Sequence, residues 1–165
     1  MSATVQTGYF FMPEHIILVG ASERPHSLGE RIFSHLLGSS YQGKITPVNL
    51  RHSSVAGLTS YSSLSKIPGQ ADLVVAVIPP DHYDSLFKAC RKKGLRHIIL
   101  IQDWENLPPE SCKNARSIIQ KYHGDELNIS VCNSAGIQLP SLNLNIGTQT
   151  NYPAGHIALL TGHST

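Results

Sequence analysis

The chain is short of charge, of cysteine and of long apolar runs, and each shortage excludes something. Asp, Glu, Lys and Arg make up 15% of its 165 residues, well under the roughly one quarter usual in globular proteins, yet apolar residues are plentiful at 41%; extended disorder does not fit. Thirteen basic against eleven acidic residues leave a formal net charge of +2, too little to mark a nucleic-acid binder. The longest apolar stretches, such as Leu73 to Pro80, fall far short of the roughly 18 residues of a spanning helix, so no membrane partner is expected. No basic segment followed by an apolar run opens the sequence, and a cytoplasmic protein without a secretory leader is the expectation. Cys90, Cys112 and Cys132 are odd in number and lack CxxC spacing, which argues against a disulfide framework or a zinc site and for reduced thiols. The nine histidines are scattered without HExxH or HxxxH spacing, so no metal is expected.

What is there is alternation. Ile16–Val19 is a β-branched run ending at Gly20, and Lys44–Asn49, Leu73–Ile78, His97–Ile101 and Ile129–Cys132 read as further strands. Pro47 would deny the second of them one ladder donor. Between them lie amphipathic helices. Ser27 to Glu30 fits a capping box, with Leu28, Ile32, Phe33, Leu36 and Leu37 on one face and Gly38 as the stop. Asp81 is placed to cap a helix carrying Tyr83, Leu86, Phe87 and Cys90, closed by Arg91, Lys92 and Lys93. Pro108 to Tyr122 is the third, with Cys112, Ala115, Ile118, Ile119 and Tyr122 inward. A Ser- and Gly-rich excursion spans Ser53 to Gly69, with one helical turn at Ser62 to Lys66. Strands alternating with helices predict a Rossmann-like, doubly wound parallel sheet in three α/β/α layers.

In such a sheet, ligands bind beyond the carboxyl ends of the strands, at the switch point. The first of these segments, Gly20-Ala21-Ser22-Glu23-Arg24-Pro25-His26-Ser27-Leu28-Gly29, offers glycines, hydroxyls and a helix N-terminus to a phosphate. It is neither GxGxxG nor a P-loop, and a plain strand-to-helix turn is the alternative. After the second strand, Val48-Asn49-Leu50-Arg51-His52 lacks the acid that a NAD site usually places on the ribose. Arg51 and His52 would suit an extra phosphate on the adenosine ribose, as in NADP or coenzyme A, or else be solvated loop charges. Ile78-Pro79-Pro80 gives a rigid apolar wall or a simple strand terminator.

Together these segments resemble a known family. Gly20-Ala21-Ser22 with Pro25, Ser27 and Gly29, then Gly43 with Pro47-Val48-Asn49, Val55-Ala56-Gly57, Tyr61 to Pro68, Asp72-Leu73 and Ile78-Pro79 are similar to the N-terminal CoA-binding domain of NDP-forming acyl-CoA synthetases. The domain is shared with multidomain protein lysine acetyltransferases and related to the succinyl-CoA synthetase α subunit. The resemblance implies coenzyme A or an acyl-CoA thioester as ligand. It implies phosphate contacts from Gly20, Ser22, Ser27 and Gly29, a ribose side at Asn49 and Arg51, and a wall at Ile78, Pro79 and Pro80, with Ala21, Arg24, Pro25, Leu28 and Val48 as further cofactor-binding positions. Gln102 and Asn133 complete the set, Asn133 matching the asparagine of the family's Gly-Pro-Asn. Val48-Asn49-Leu50 departs from the family's Val-Asn-Pro, and Val131-Cys132-Asn133 from Gly-Pro-Asn. The small loop after the fourth strand becomes Gln102-Asp103-Trp104-Glu105-Asn106, which puts a bulky Trp104 where the thioester end is expected.

The resemblance also divides the chain. Residues 1–140 are read as the CoA-binding unit and 141–165 as a linker with the first strand, Gly155 to Gly162, of a truncated or absent second domain. In the synthetases that domain carries the phosphorylated catalytic histidine, and none of the nine histidines here takes that role by position. The expectation is therefore a CoA-binding module without a complete catalytic apparatus, its missing catalytic and nucleotide-grasp parts supplied by other domains or a subunit. Two alternatives stand beside it. One is an NADP-dependent oxidoreductase, for which no spaced Tyr/Lys pair is visible; the other is a degenerate Rossmann module serving regulation or assembly.

Overall fold

In the computed structural model, residues 12–124 and 127–153 are described. Five strands form one parallel sheet: β1 (His15–Val19), β2 (Lys44–Val48), β5 (Leu73–Ala76), β6 (His97–Ile101) and β7 (Asn128–Cys132), in the order β2-β1-β5-β6-β7. Two short hairpins lie outside it, β3 (Ser54–Val55) with β4 (Leu58–Thr59), and β8 (Ile137–Leu139) with β9 (Leu144–Ile146). The helices are α1 (Leu28–Gly38), α2 (Tyr83–Lys93) and α3 (Pro109–Tyr122).

The central strands are apolar at every position after the opening histidines of β1 and β6, because both faces are covered. Ile16, Leu18, Leu73, Val75, Ile99 and Ile101 pack to one side with Ile32, Phe33 and Leu36 of α1. Their alternates Ile17, Val74, Ala76, Ile98 and Leu100 pack to the other with Tyr83, Leu86, Phe87 and Cys90 of α2 and Ala115 and Tyr122 of α3. This is the expected three-layer, doubly wound fold. The α2–α3 pair is also tied at its surface, where the Asp84 carboxylate accepts from Lys88 (2.6 Å), Tyr122 (2.8 Å) and Lys121 (3.1 Å).

Local chemistry corrects several details. Pro47 sits in the edge strand, and its carbonyl points outward to accept from Tyr61 N; its missing N–H therefore also lies on the outer side, and the ladder to β1 loses nothing. The capping box is half formed. Ser27 Oγ accepts from Glu30 N at 3.2 Å, but the Ser27 N–H is bonded to Arg24 O, so the glutamate has no donor to reach back to. Asp81 does not cap α2, because Pro80–His82 forms a 3-10 turn first and His82 takes the cap position without a side-chain bond. The Ser- and Gly-rich excursion contains the β3–β4 hairpin, whose turn places Ala56 (φ 48°) and Gly57 (φ 78°) in the left-handed region, and a 3-10 turn at Leu64–Lys66.

The polar segment from Ser141 continues the folded unit as far as β9. Leu144 and Ile146 are buried in the core under α1, and His35 Nδ1 meets Gly147 O at 2.9 Å. A boundary at 140 thus falls inside the β8–β9 hairpin. The strand read at Gly155 to Gly162 lies outside the described residues. All three cysteines are free thiols, Cys90 fully buried and Cys112 and Cys132 partly so.

Candidate functional site: a cleft at the switch point

With the order β2-β1-β5-β6-β7, the chain reverses direction of travel across the sheet between β1 and β5, and a crevice opens there beyond the strand ends. Close packing builds its floor. Gly20 leaves β1 at φ +91°, and a Cβ there would stand 2.2 Å from Val77 O. Gly29, in the first turn of α1, would bring a Cβ to 2.2 Å from Gly20 O. The two glycines therefore let α1 start hard against the end of β1, with its first N–H groups, which have no intrahelical partner, at the crevice.

The intervening loop is held by its own hydroxyls. Ser22 Oγ accepts from Arg24 N (3.0 Å), which leaves the Ser22 proton available. Ser27 differs: its Oγ donates to Arg24 O (2.8 Å) while accepting from Glu30 N. Its hydroxyl is thus committed to the helix start, and a ligand would meet it only by breaking that bond. Asn49, expected on the ribose side, donates to Ala21 O and accepts from two backbone amides of its own loop.

The resulting cleft has a volume of about 990 Å³, at the large end of ordinary ligand sites. Gly20, Ala21, Ser22, Arg24, Ser27, Leu28 and Gly29 line one end; Val48, Asn49 and Arg51 line the side; Ile78, Pro79 and Gln102 complete it. Arg24, Arg51 and His52 are exposed at its mouth and give it a basic rim. The Glu23 carboxylate, also at the rim, accepts from Ala56 N at 3.0 Å.

Three residues expected at the site do not line this cleft. Pro25 is exposed on the outside of the first loop, and Pro80 is buried where it opens the 3-10 turn before α2. Asn133 follows β7, the far edge strand, two strands beyond the switch point, and its Oδ1 accepts from Ala135 N (3.0 Å). Trp104 is also turned away. Its Nε1 donates to Cys132 O at 2.9 Å and its ring packs on the core beside α2 and α3, leaving Gln102 to face the cleft. Burial raises the Cys132 thiol above its ordinary range, which disfavours a thiolate there.

Sequence reasoning missed one whole wall. Ser62, Ser63 and Leu64 line the cleft together with His82, Ser85, Leu86 and Ala89. The signal for the helical part was present, since positions 82, 85, 86 and 89 form an i, i+3, i+4, i+7 stripe beside the core-facing one.

The CoA binding domain family matches residues 14–138. The chain belongs to that family. Among curated relatives of this CoA-binding domain, the acetate–CoA ligase (ADP-forming) II subunit alpha of Pyrococcus furiosus is 31% identical over 155 residues, covering 93% of this chain and 34% of the relative. The 4-hydroxybutyrate–CoA ligase (ADP-forming) of Nitrosopumilus maritimus is 24% identical over 140 residues, 84% of this chain and 19% of that one. Among solved structures, PH0766 from Pyrococcus horikoshii superposes with a TM-score of 0.75 at 29% identity, over 92% of this chain and 35% of that one. The dinucleotide forming acetyl-coenzyme A synthetase 1 of Candidatus Korarchaeum cryptofilum, in complex with phosphate and ADP, gives 0.71 at 25% identity, over 87% and 31%. The CoA-binding domain described here thus spans about a third of the length of the P. furiosus ligase subunit and of both solved structures.

Proposed function

We propose that this chain is the coenzyme A-binding module of a cytoplasmic ADP-forming acyl-CoA ligase, and that phosphoryl and acyl transfer are completed by other domains or by a partner subunit. One observation carries the reading. A single cleft joins an anion-favouring end, made by the start of α1 with Arg24 and Arg51, to an apolar wall of Ile78, Pro79 and Leu86. Coenzyme A has that polarity: phosphates around an adenosine ribose at one end and a long, mostly apolar arm at the other. Helix N-terminal amides and arginines suit the phosphates, and with Trp104 packed against the core rather than lining the cleft, Gln102 is the residue of its loop that faces the cavity. The relatives named above, both CoA ligases by name, point the same way.

The test is a panel of ligands at matched concentration: CoA, acetyl-CoA, dephospho-CoA, NAD and NADP, read by calorimetry and thermal unfolding. A ligand at 100 times its Kd stabilises the fold by about 2.7 kcal/mol, or roughly 5–10 °C in a domain of this size. CoA and acetyl-CoA are expected to shift the transition, dephospho-CoA less. A shift with NADP and none with CoA would move the assignment to a dinucleotide enzyme. Silence to all five would leave a module that has lost its ligand.

A further inference from the structure

The loop after β2 is organised by one side chain. Asn49 Nδ2 donates to Ala21 O at 2.8 Å, and Oδ1 accepts from Arg51 N at 2.8 Å and from His52 N at 3.0 Å. Its backbone N–H donates to Tyr61 O at 3.0 Å. A primary amide offers two lone pairs and two N–H bonds, so both acceptor sites and one of the two donor sites are spent inside the protein. These bonds tie together three chain segments at the cleft: the turn after β1, the loop after β2 and the stretch leading to the 3-10 turn at Leu64. What the loop presents is not itself packed. Arg51 and His52 are exposed, and Leu50 between them and Asn49 is 82% exposed. Burial of those residues therefore does not set their positions; the Asn49 amide does.

We infer that Asn49 is a positioning residue: it fixes where Arg51 and His52 stand relative to the start of α1, and so sets the preference for a ligand carrying an extra phosphate on its adenosine ribose. The preference rests on the coenzyme A reading above, whereas the hydrogen-bonded tie does not. An arginine on a loose loop must be ordered at the moment of binding, and that cost falls on the ligand whose phosphate it holds. A fixed loop removes it. The ligand lacking that phosphate makes no use of Arg51 and depends on the tie only through the turn at Ala21.

Two measurements on the full chain test this, with Asn49→Ala beside wild type. Amide hydrogen exchange reads the tie without ligand. Arg51 and His52 are expected to exchange roughly tenfold faster or more in the variant, with the amides of β1 and β5 unchanged. Calorimetry with CoA and dephospho-CoA reads the consequence. Affinity for CoA should fall roughly tenfold or more and that for dephospho-CoA less than about threefold, so that their ratio approaches one. Equal losses for both ligands would overturn the inference, because Asn49 would then be acting on a part of the site that both ligands use. Unchanged exchange at Arg51 and His52 would overturn it as well. If Asn49→Ala fails to fold, Asn49→Asp keeps the Oδ1 acceptor; protected Arg51 and His52 amides with a preference for CoA are expected, and loss of either refutes it. Wild-type protein that binds neither ligand would sink the coenzyme A reading and the preference with it, while the exchange result still decides the tie.

Discussion

Replacing Gly29 by alanine sets two rules against each other. Gly29 lies in the first turn of α1, where alanine should favour the helix by roughly 0.5–1 kcal/mol. The packing says otherwise, because the added methyl would stand 2.2 Å from Gly20 O. Normal contact requires about 1 Å more, and neither side of that contact is a flexible side chain: one is the helix backbone, the other the carbonyl at the end of β1. Gly20 cannot retreat, since it is itself pressed against Val77 O. Over-packing of this kind costs roughly 1–3 kcal/mol, so the net expectation is a destabilisation of about 1–2 kcal/mol. For a domain of this length that lowers Tm by roughly 2–8 °C. The functional loss should be larger than the stability loss, because the atoms that move are the N-terminal amides of α1 at the anion end of the cleft. Urea unfolding monitored by circular dichroism, with CoA calorimetry on the same samples, measures both. Gly38→Ala is the control: it ends the same helix, and a methyl added there would meet nothing within 4 Å, so it should be neutral or slightly stabilising. A Gly29→Ala protein as stable as wild type and within twofold in CoA affinity would refute the close-packing account of the site.

Other consequences are briefer. Trp104→Phe removes the Nε1 bond to Cys132 O and should cost about 0.5–2 kcal/mol of stability with CoA affinity unchanged; a large change in affinity would return the ring to the ligand path. Ala56 occupies a left-handed turn position, so Ala56→Gly should raise the urea midpoint by an amount worth about 1 kcal/mol, and an unchanged midpoint would count against the turn geometry. His15 and His97 are both held below the ordinary histidine pKa, first by burial and then by nearby cations, Lys44 for His15 and Arg96 for His97. The folded state then prefers them neutral, so their contribution is present above the unfolded value of 6.5 and is lost as pH falls from there through the folded-state values. Urea midpoints measured at pH 7.5, 6.5 and 5.5 should decline, and a His15→Gln/His97→Gln protein should decline less steeply; an identical slope would exclude these two histidines as the cause.

The sheet was legible in the sequence because a strand buried on both faces is apolar at every position, as Leu73 to Ala76 is, and such runs are hard to mistake when amphipathic helices separate them. The place of the candidate cleft followed from topology. Its details did not. The β3–β4 hairpin is built from two-residue strands and a turn with φ > 0 at Ala56, for which alanine gives no sign. Asp81 looks like a helix cap because caps are read from residue type, but two prolines before it start a 3-10 turn and shift the helix onward. Trp104 does follow β6, yet which way its side chain turns depends on a partner 28 residues on, the carbonyl of Cys132. Asn49 shows the same limit from the other side: its residue type suits a ribose contact, and only the geometry reveals that its amide is spent on the protein.

That distinction bears on how this unit could hold a ligand by itself. Among the described residues, those lining the cleft all lie between Val19 and Gln102. The elements that carry them, β1, β2, β5, β6, α1 and α2, bury their apolar faces against one another or against α3 and the β8–β9 hairpin. The ties that shape the cleft are likewise internal: Gly29 on Gly20, Gly20 on Val77, Asn49 on Ala21, Glu23 on Ala56. The lining residues are thus positioned by contacts within the unit itself. On the coenzyme A reading, binding is organised within this unit, whereas thioester formation needs an activated acyl donor brought to the coenzyme's thiol, which is the acyl acceptor.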